Sequence, residues 1–261
     1  MQNLSPPIVL VFAGHDPSGG AGLTADTQTL AQLHCHIAPI VTSITVQDTV
    51  NVVENKPLPA SQIAEQAQIV LNDIIISACK IGLLGDVEII KTIAKILQTY
   101  SHFPTIIDPV LAAGGGQHLS DYSFRKAMIT HLMPYTFILT PNSEEARKLT
   151  GQKNLDKAAK QLMKWGCQYV CITGTHEETN NVMNVLYGEG ERLESWTWPR
   201  LPHQYHGSGC TFASSLTAYL ARGMHIKDAT YSAQHYTWLS LKRGFKAGHG
   251  QLLPFRLKQI S

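Results

Sequence analysis

Charge is scarce in this 261-residue chain: Asp, Glu, Lys and Arg make up 15% of it, and the net charge is +2. No window is dense in Lys and Arg, so the electrostatic footprint of a nucleic-acid binder is missing. Long apolar runs are also absent. None approaches the roughly 18 residues a membrane span needs, and no membrane partner is expected. The five cysteines (Cys35, Cys79, Cys167, Cys171 and Cys210) form an odd set at scattered spacings, which argues for reduced thiols and not a disulfide framework. The stretch MQNLSPPIVLVFAG carries no basic n-region and no small-residue cleavage site, so a cytoplasmic location is expected. Dedicated transition-metal patterns fail too. His34-Cys35-His36 and His203-x-x-His206 match neither H-E-x-x-H nor paired C-x-x-C, and Cys167-x-x-x-Cys171 reads as core.

What is present is a packed globule, 44% hydrophobic, in which short apolar runs alternate with amphipathic segments. Strands are predicted at 8–14, 37–47, 74–82, 105–111, 136–142 and 168–174. Helices are predicted at 20–33, 59–73, 86–99, 120–133, 143–150, 154–166, 209–222 and 227–243. Residues 181–199 read as a hairpin turning at Gly188-Glu189-Gly190. Such alternation implies a mainly parallel sheet with helices on both faces. No repeat or linker divides it, so one domain over residues 1–261 is expected. In sheets of this kind ligands bind beyond the carboxyl ends of the strands.

Two glycine loops stand at such ends. GHDPSGGAGLTAD (14–26) begins like a P-loop, but Gly20 and Ala21 replace the required Lys and Ser or Thr. Gly20-Ala21-Gly22-Leu23-Thr24-Ala25 fits the dinucleotide fingerprint in form, yet His15 to Gly19 intervene where a tight turn is needed. A bare turn and a loop approaching a small molecule both remain open. HGSGCTFASSL (206–216) runs from glycines straight into a helix, where free N–H groups and the macrodipole favour an anion. The bland alternative is a turn capped by Ser208. Cys210 favours chemistry there, because a helix start is expected to depress a thiol's pKa. Asp108 closes a strand before a proline, and Asn142 and Glu145 stand three apart at a strand–helix junction. The latter two suit a capping box. Together with an anion-binding helix, the carboxylates also suit a hydrated Mg²⁺.

GHDPSGGAGLTAD, VTSITVQDTVNV, KIGLLGD, IIDPVLAAGGG, LTPNSEEA and YHGSGCTFASSL, in this order, resemble the hydroxymethylpyrimidine and phosphomethylpyrimidine kinases of thiamine biosynthesis. The resemblance covers nearly the whole chain and implies a ribokinase-like three-layer α/β/α sandwich. It implies ATP-dependent phosphorylation of a hydroxymethyl aminopyrimidine and then of its monophosphate, with Mg²⁺ and, as expected oligomer, a homodimer. The pyrimidine pocket would fall on Gly14, Asp26, Gln47, Leu83 and Val110. The carboxamide of Gln47 could match a ring nitrogen beside an exocyclic amine. Asp108 and Glu145 would serve the metal, and Asn142, Glu145, Thr173 and Gly174 the nucleotide phosphates. Gly207, Ser208, Gly209 and Cys210 would form the catalytic anion hole, with Cys210 where sugar-kinase relatives carry an aspartate base. Two departures from the family pattern matter. Thr173 replaces a lysine at a strand end, and Ala113-Gly114-Gly115 replaces a Lys-Ser-Gly, so positive charge near the phosphates is reduced. Pyridoxal kinase of the same fold, a non-catalytic pyrimidine sensor and a dehydrogenase are the competing readings.

Overall fold

The computed structural model describes residues 5–111 and 121–257. Nine strands form one sheet in the order β3-β2-β1-β4-β5-β6-β7-β8-β9. Its centre comprises β2 (His36–Gln47), β1 (Ile8–His15), β4 (Ala78–Ile81), β5 (Thr105–Ile107), β6 (Ile138–Leu139) and β7 (Tyr169–Thr173), all parallel. Both margins are antiparallel: β3 (Val52–Pro57) on one side, and β8 (Asn181–Gly188) with β9 (Glu191–Pro199) on the other. β1 is nearly continuous in apolar residues because both its faces are covered.

Five helices cover one face: α2 (Ala60–Asp73), α3 (Val87–Thr99), α4 (Tyr122–Ala127), α5 (Ser143–Thr150) and α6 (Leu155–Lys164). The other face carries α1 (Gly22–Gln32), α7 (Ser208–Ala221) and α8 (Ile226–Lys242). This is the three-layer α/β/α sandwich of the ribokinase-like fold. Local chemistry sets the boundaries. Asp86 caps α3 by accepting from Ile89 N at 2.8 Å, and the helix buries Ile89, Ile90, Ile93 and Leu97 on one side. The β8–β9 hairpin turns at Glu189 and Gly190, both with positive φ, as a two-residue turn demands.

The structure differs from the sequence expectation in two elements. β3 was not predicted, because VVENKP is a polar edge strand with one buried residue and no alternating apolar signal. The helix expected over 120–133 runs as α4 only to Ala127. It then passes into a π-helical stretch, Met128–Leu132, and a 3₁₀ turn containing Pro134. Strand order reverses between β1 and β4, so a crevice opens at the carboxyl ends of these strands.

Candidate active site

A cavity of about 780 Å³ occupies that crevice. Gly14, Gln47, Leu83 and Val110 line it, as do Asn142, Thr173, Thr175 and Asn184. The first turn of α7 (Gly207, Ser208, Gly209 and Cys210) also lines it, together with Asp108 and Glu145.

The two glycine loops interlock. Gly207 has φ +82°, and a Cβ there would overlap the Gly20 carbonyl. Gly22 has φ +57°, and its Cβ would overlap the Gly14 carbonyl. Only glycine permits both the dihedral and the approach. Asp16 ties the loops: its carboxylate accepts from Ser18 N and Ala21 N at 2.8 Å and lies 2.8 Å from His206 Nε2. Burial works against ionisation of Asp16, but the bonds from His206, Ser18 and Ala21 outweigh it and hold the carboxyl down to about 2. Gly207 offers α7 no side-chain cap, and its carbonyl receives the first intrahelical bond from Thr211 N at 3.0 Å. The amides of Ser208, Gly209 and Cys210 therefore precede the helical ladder, as an anion site requires.

A buried charge cluster lies behind this turn. Lys80 and Asp26 are both fully buried, with Nζ 2.9 and 3.0 Å from the two carboxylate oxygens. Ser214 Oγ donates to the same carboxylate at 2.6 Å. Burial disfavours the ammonium, but Asp26, Cys210 and Asp108 together hold Lys80 above its ordinary range, as a fixed cation. Asp108 sits beside the α7 start, where a Cβ on Gly209 would lie 3.5 Å from its Oδ2. Burial, reinforced by Asp26, raises the Asp108 carboxyl despite the attraction of Lys80. Glu145 is likewise raised by burial and by Asp108. Both carboxyls line the cavity, and burial is the main cause of each rise.

Asn142 and Glu145 do form the capping box, each side chain bonding the other's backbone N–H at 2.9 Å, while both still line the cavity. Gln47 Nε2 donates to Thr45 Oγ1 at 2.6 Å, and that hydroxyl donates to His15 O at 2.8 Å. The relay fixes the carboxamide and leaves its oxygen as the acceptor.

Three expectations are corrected. Asp26 does not line the cavity, because both its oxygens are engaged by Lys80 and Ser214 beneath the surface. Gly174 is not on the wall either, and its N–H is given to Asn184 Oδ1 at 3.1 Å. Burial pushes the Cys210 thiol up to about 11, with Asp108 and Asp26 adding to the rise and Lys80 opposing it. Desolvation thus overrides the helix start, and the thiol is neutral. Ala113, Gly114 and Gly115 lie outside the described residues. The sequence reading missed Lys80, Asp16 and Arg256. A lone lysine in the apolar run IIISACKIG was the one available signal.

Among the described residues no cluster of three His, Cys, Asp or Glu side chains could hold a metal. No helix among them is long and apolar enough to cross a membrane. The phosphomethylpyrimidine kinase family profile matches residues 16–254. The chain is 34% identical over 260 residues to the hydroxymethylpyrimidine/phosphomethylpyrimidine kinase of Bacillus subtilis, covering 97% of this chain and 96% of that protein. It is 32% identical over 248 residues to the thiamine biosynthesis bifunctional protein ThiED of Geobacter sulfurreducens, covering 93% of this chain but only about half (50%) of that relative's length. Among solved structures, the pyridoxal kinase of Staphylococcus aureus in complex with pyridoxal superposes with a TM-score of 0.89 at 30% identity, covering 98% of this chain and 96% of that one.

Proposed function

Because the chain belongs to the phosphomethylpyrimidine kinase family, we propose that it transfers the γ-phosphoryl of ATP to 4-amino-5-hydroxymethyl-2-methylpyrimidine and then phosphorylates the monophosphate to the diphosphate, in thiamine biosynthesis. The observation that carries this reading is the single cavity joining the Gln47 region to the open start of α7 and to Asp108. Gln47 presents a carboxamide oxygen to the exocyclic amine, and Leu83 and Val110 give the ring an apolar bed. The hydroxymethyl oxygen attacks the γ-phosphorus, the bond to the β–γ bridging oxygen breaks, and ADP leaves. The hydroxyl proton passes to water or to an oxygen of the transferred phosphoryl, since a loose phosphoryl-transfer transition state asks little of a base. A neutral Cys210 thiol therefore suffices as a hydrogen-bonding neighbour, while the amides of Ser208, Gly209 and Cys210 stabilise the developing charge.

Asp108 and Glu145 suit Mg²⁺ by their donor chemistry. Magnesium takes one or two carboxylates, with phosphates and water completing its shell, and these two carboxyls line the same cavity. Bound there with ATP, the ion would neutralise charge on the phosphates. Asn142 and Thr173, which line the same cavity, would meet the phosphates of ATP.

The likeness to the Staphylococcus aureus enzyme favours a second reading, pyridoxal kinase. Both substrates are hydroxymethyl heterocycles, but pyridoxal has no exocyclic amine for Gln47. A steady-state comparison of kcat/KM for the two alcohols with Mg-ATP tests the assignment. A higher value for the aminopyrimidine is expected. A higher value for pyridoxal would replace the proposal, and binding without turnover would indicate a sensor.

A further inference from the structure

Lys80 is not the only buried cation near the site. Arg256, 2% exposed, arrives from the C-terminal tail. That tail is pinned by Leu252 N on Gln204 O, by Phe255 N on Ser240 O, and by Tyr236 Oη on Arg256 O at 2.7 Å. The guanidinium serves neutral acceptors on three separate segments. Nε donates to Thr211 Oγ1 at 2.9 Å, Nη1 to Gln28 Oε1 at 3.1 Å, and Nη2 to Gly20 O.

These bonds reach the anion hole through peptide geometry. Because Thr211 Oγ1 accepts from Arg256, its own proton goes to Gly207 O at 2.8 Å, the oxygen that also takes Thr211 N. In a trans peptide the carbonyl and the following N–H point in opposite directions. Holding Gly207 O back into the helix therefore turns the Ser208 N–H outward to the cavity. The same logic holds in the other loop. Arg256 takes Gly20 O, and the N–H of that peptide, on Ala21, meets Asp16, which in turn meets His206. A Cβ on Gly207 would lie 2.9 Å from Arg256 Nη2, so the cation sits directly behind the turn. Residue 173, on the cavity wall, is a threonine and brings no charge.

We propose that Arg256 is a positioning residue that aims the Ser208 amide at the transferring phosphoryl and keeps a fixed positive charge behind it. The proposal rests on the kinase reading above. Its test compares R256M, R256K and R243M with the unaltered chain. Arg243 stacks on Phe255 in the same tail at 5.8 Å, and its Nε bonds Leu239 O, away from both glycine loops. R256M should lower kcat on the order of 10- to 100-fold, less than the roughly 100- to 1000-fold lost when an oxyanion donor is removed outright, because the Ser208 amide is misaimed and not deleted. By calorimetry it should weaken AMP-PCP about fivefold or more, while the pyrimidine alcohol stays within about twofold, because only the anion loses a charged neighbour. R256K keeps the charge but not the fork and should recover part of the kcat. R243M should lower Tm alone.

Wild-type kcat and AMP-PCP affinity in folded R256M would overturn the proposal. So would equal losses of both ligands in R256M, R256K and R243M, the mark of a loosened tail. If R256M does not fold, R256K carries the test: reduced kcat with intact alcohol affinity is expected, and wild-type kcat would refute the role. If the unaltered chain phosphorylates nothing, the kinase reading fails, while the ratio of AMP-PCP affinities still reads the role of Arg256.

Discussion

Replacing Lys80 by methionine would strand a carboxylate in the core. Lys80 and Asp26 are each fully buried, and the ammonium engages both oxygens at 2.9 and 3.0 Å. Breaking a buried pair from one side costs about 3–5 kcal/mol, mostly as the uncompensated desolvation of the survivor. For a chain of this size that corresponds to a Tm lower by roughly 6–20 °C. The K80M/D26N double variant removes both charges and leaves an amide to accept from Ser214 Oγ, so it should regain at least about half of the lost stability. It should not regain activity. Lys80 is the cation that attracts Asp108, and without it kcat should remain about tenfold down. Thermal unfolding by circular dichroism and a coupled assay of ADP release read the two effects separately. An unchanged Tm in K80M would show that the buried pair contributes no stability, and wild-type kcat in the double variant would show that Lys80 has no part in turnover.

Gln47→Ala should raise KM for the pyrimidine by roughly 1–3 kcal/mol equivalent while leaving KM for ATP near wild type, because a buried polar edge loses its partner; parallel changes would remove Gln47 from the substrate site. Cys210→Ala should lower kcat with near-normal binding of both substrates, and Cys210→Asp should keep part of the rate; unchanged turnover in the alanine variant would reduce the thiol to packing. Thr173→Lys should alter kcat/KM for the monophosphate more than for the alcohol, since a charge-assisted bond is roughly twice as strong as a neutral one; equal effects would place residue 173 at phosphates common to both steps. Asp16 is held at about 2 against an ordinary 3.8, so its contribution of about 2 kcal/mol is present above pH 4 and lost as the pH falls toward 2. In Asp16→Asn that acid limb of the stability profile should flatten, and an unaltered limb would show that another group controls it.

The order of strands and helices was legible because each central element carries its own apolar signal, as β1 and α3 do. Residues that line the cavity after strand ends could be picked out for the same reason. Gly14, Gln47, Asp108, Asn142 and Thr173 stand where an apolar run stops, and the structure gathers them on one cavity. What escaped depends on partners far away in sequence. Asp26 meets Lys80 across 54 positions and Ser214 across 188, so its burial in an ion pair could not be read locally. His206 and Asp16 are 190 apart, and Arg256 reaches Gly20 over 236. Cys210 was misjudged in sign: a helix start stabilises a thiolate, but the enclosing walls and two nearby carboxylates oppose it more strongly. β3 escaped because a polar edge strand gains its place from pairing with β2 and not from its own composition.

Phosphoryl transfer to the aminopyrimidine alcohol is read most simply by mass analysis of the products. The chain is incubated with Mg-ATP and 4-amino-5-hydroxymethyl-2-methylpyrimidine, and the products are followed over time. The monophosphate is expected first and then the diphosphate, with ADP formed in step with each phosphoryl transferred. An unaltered pyrimidine mass under conditions in which the chain binds that alcohol would contradict that expectation.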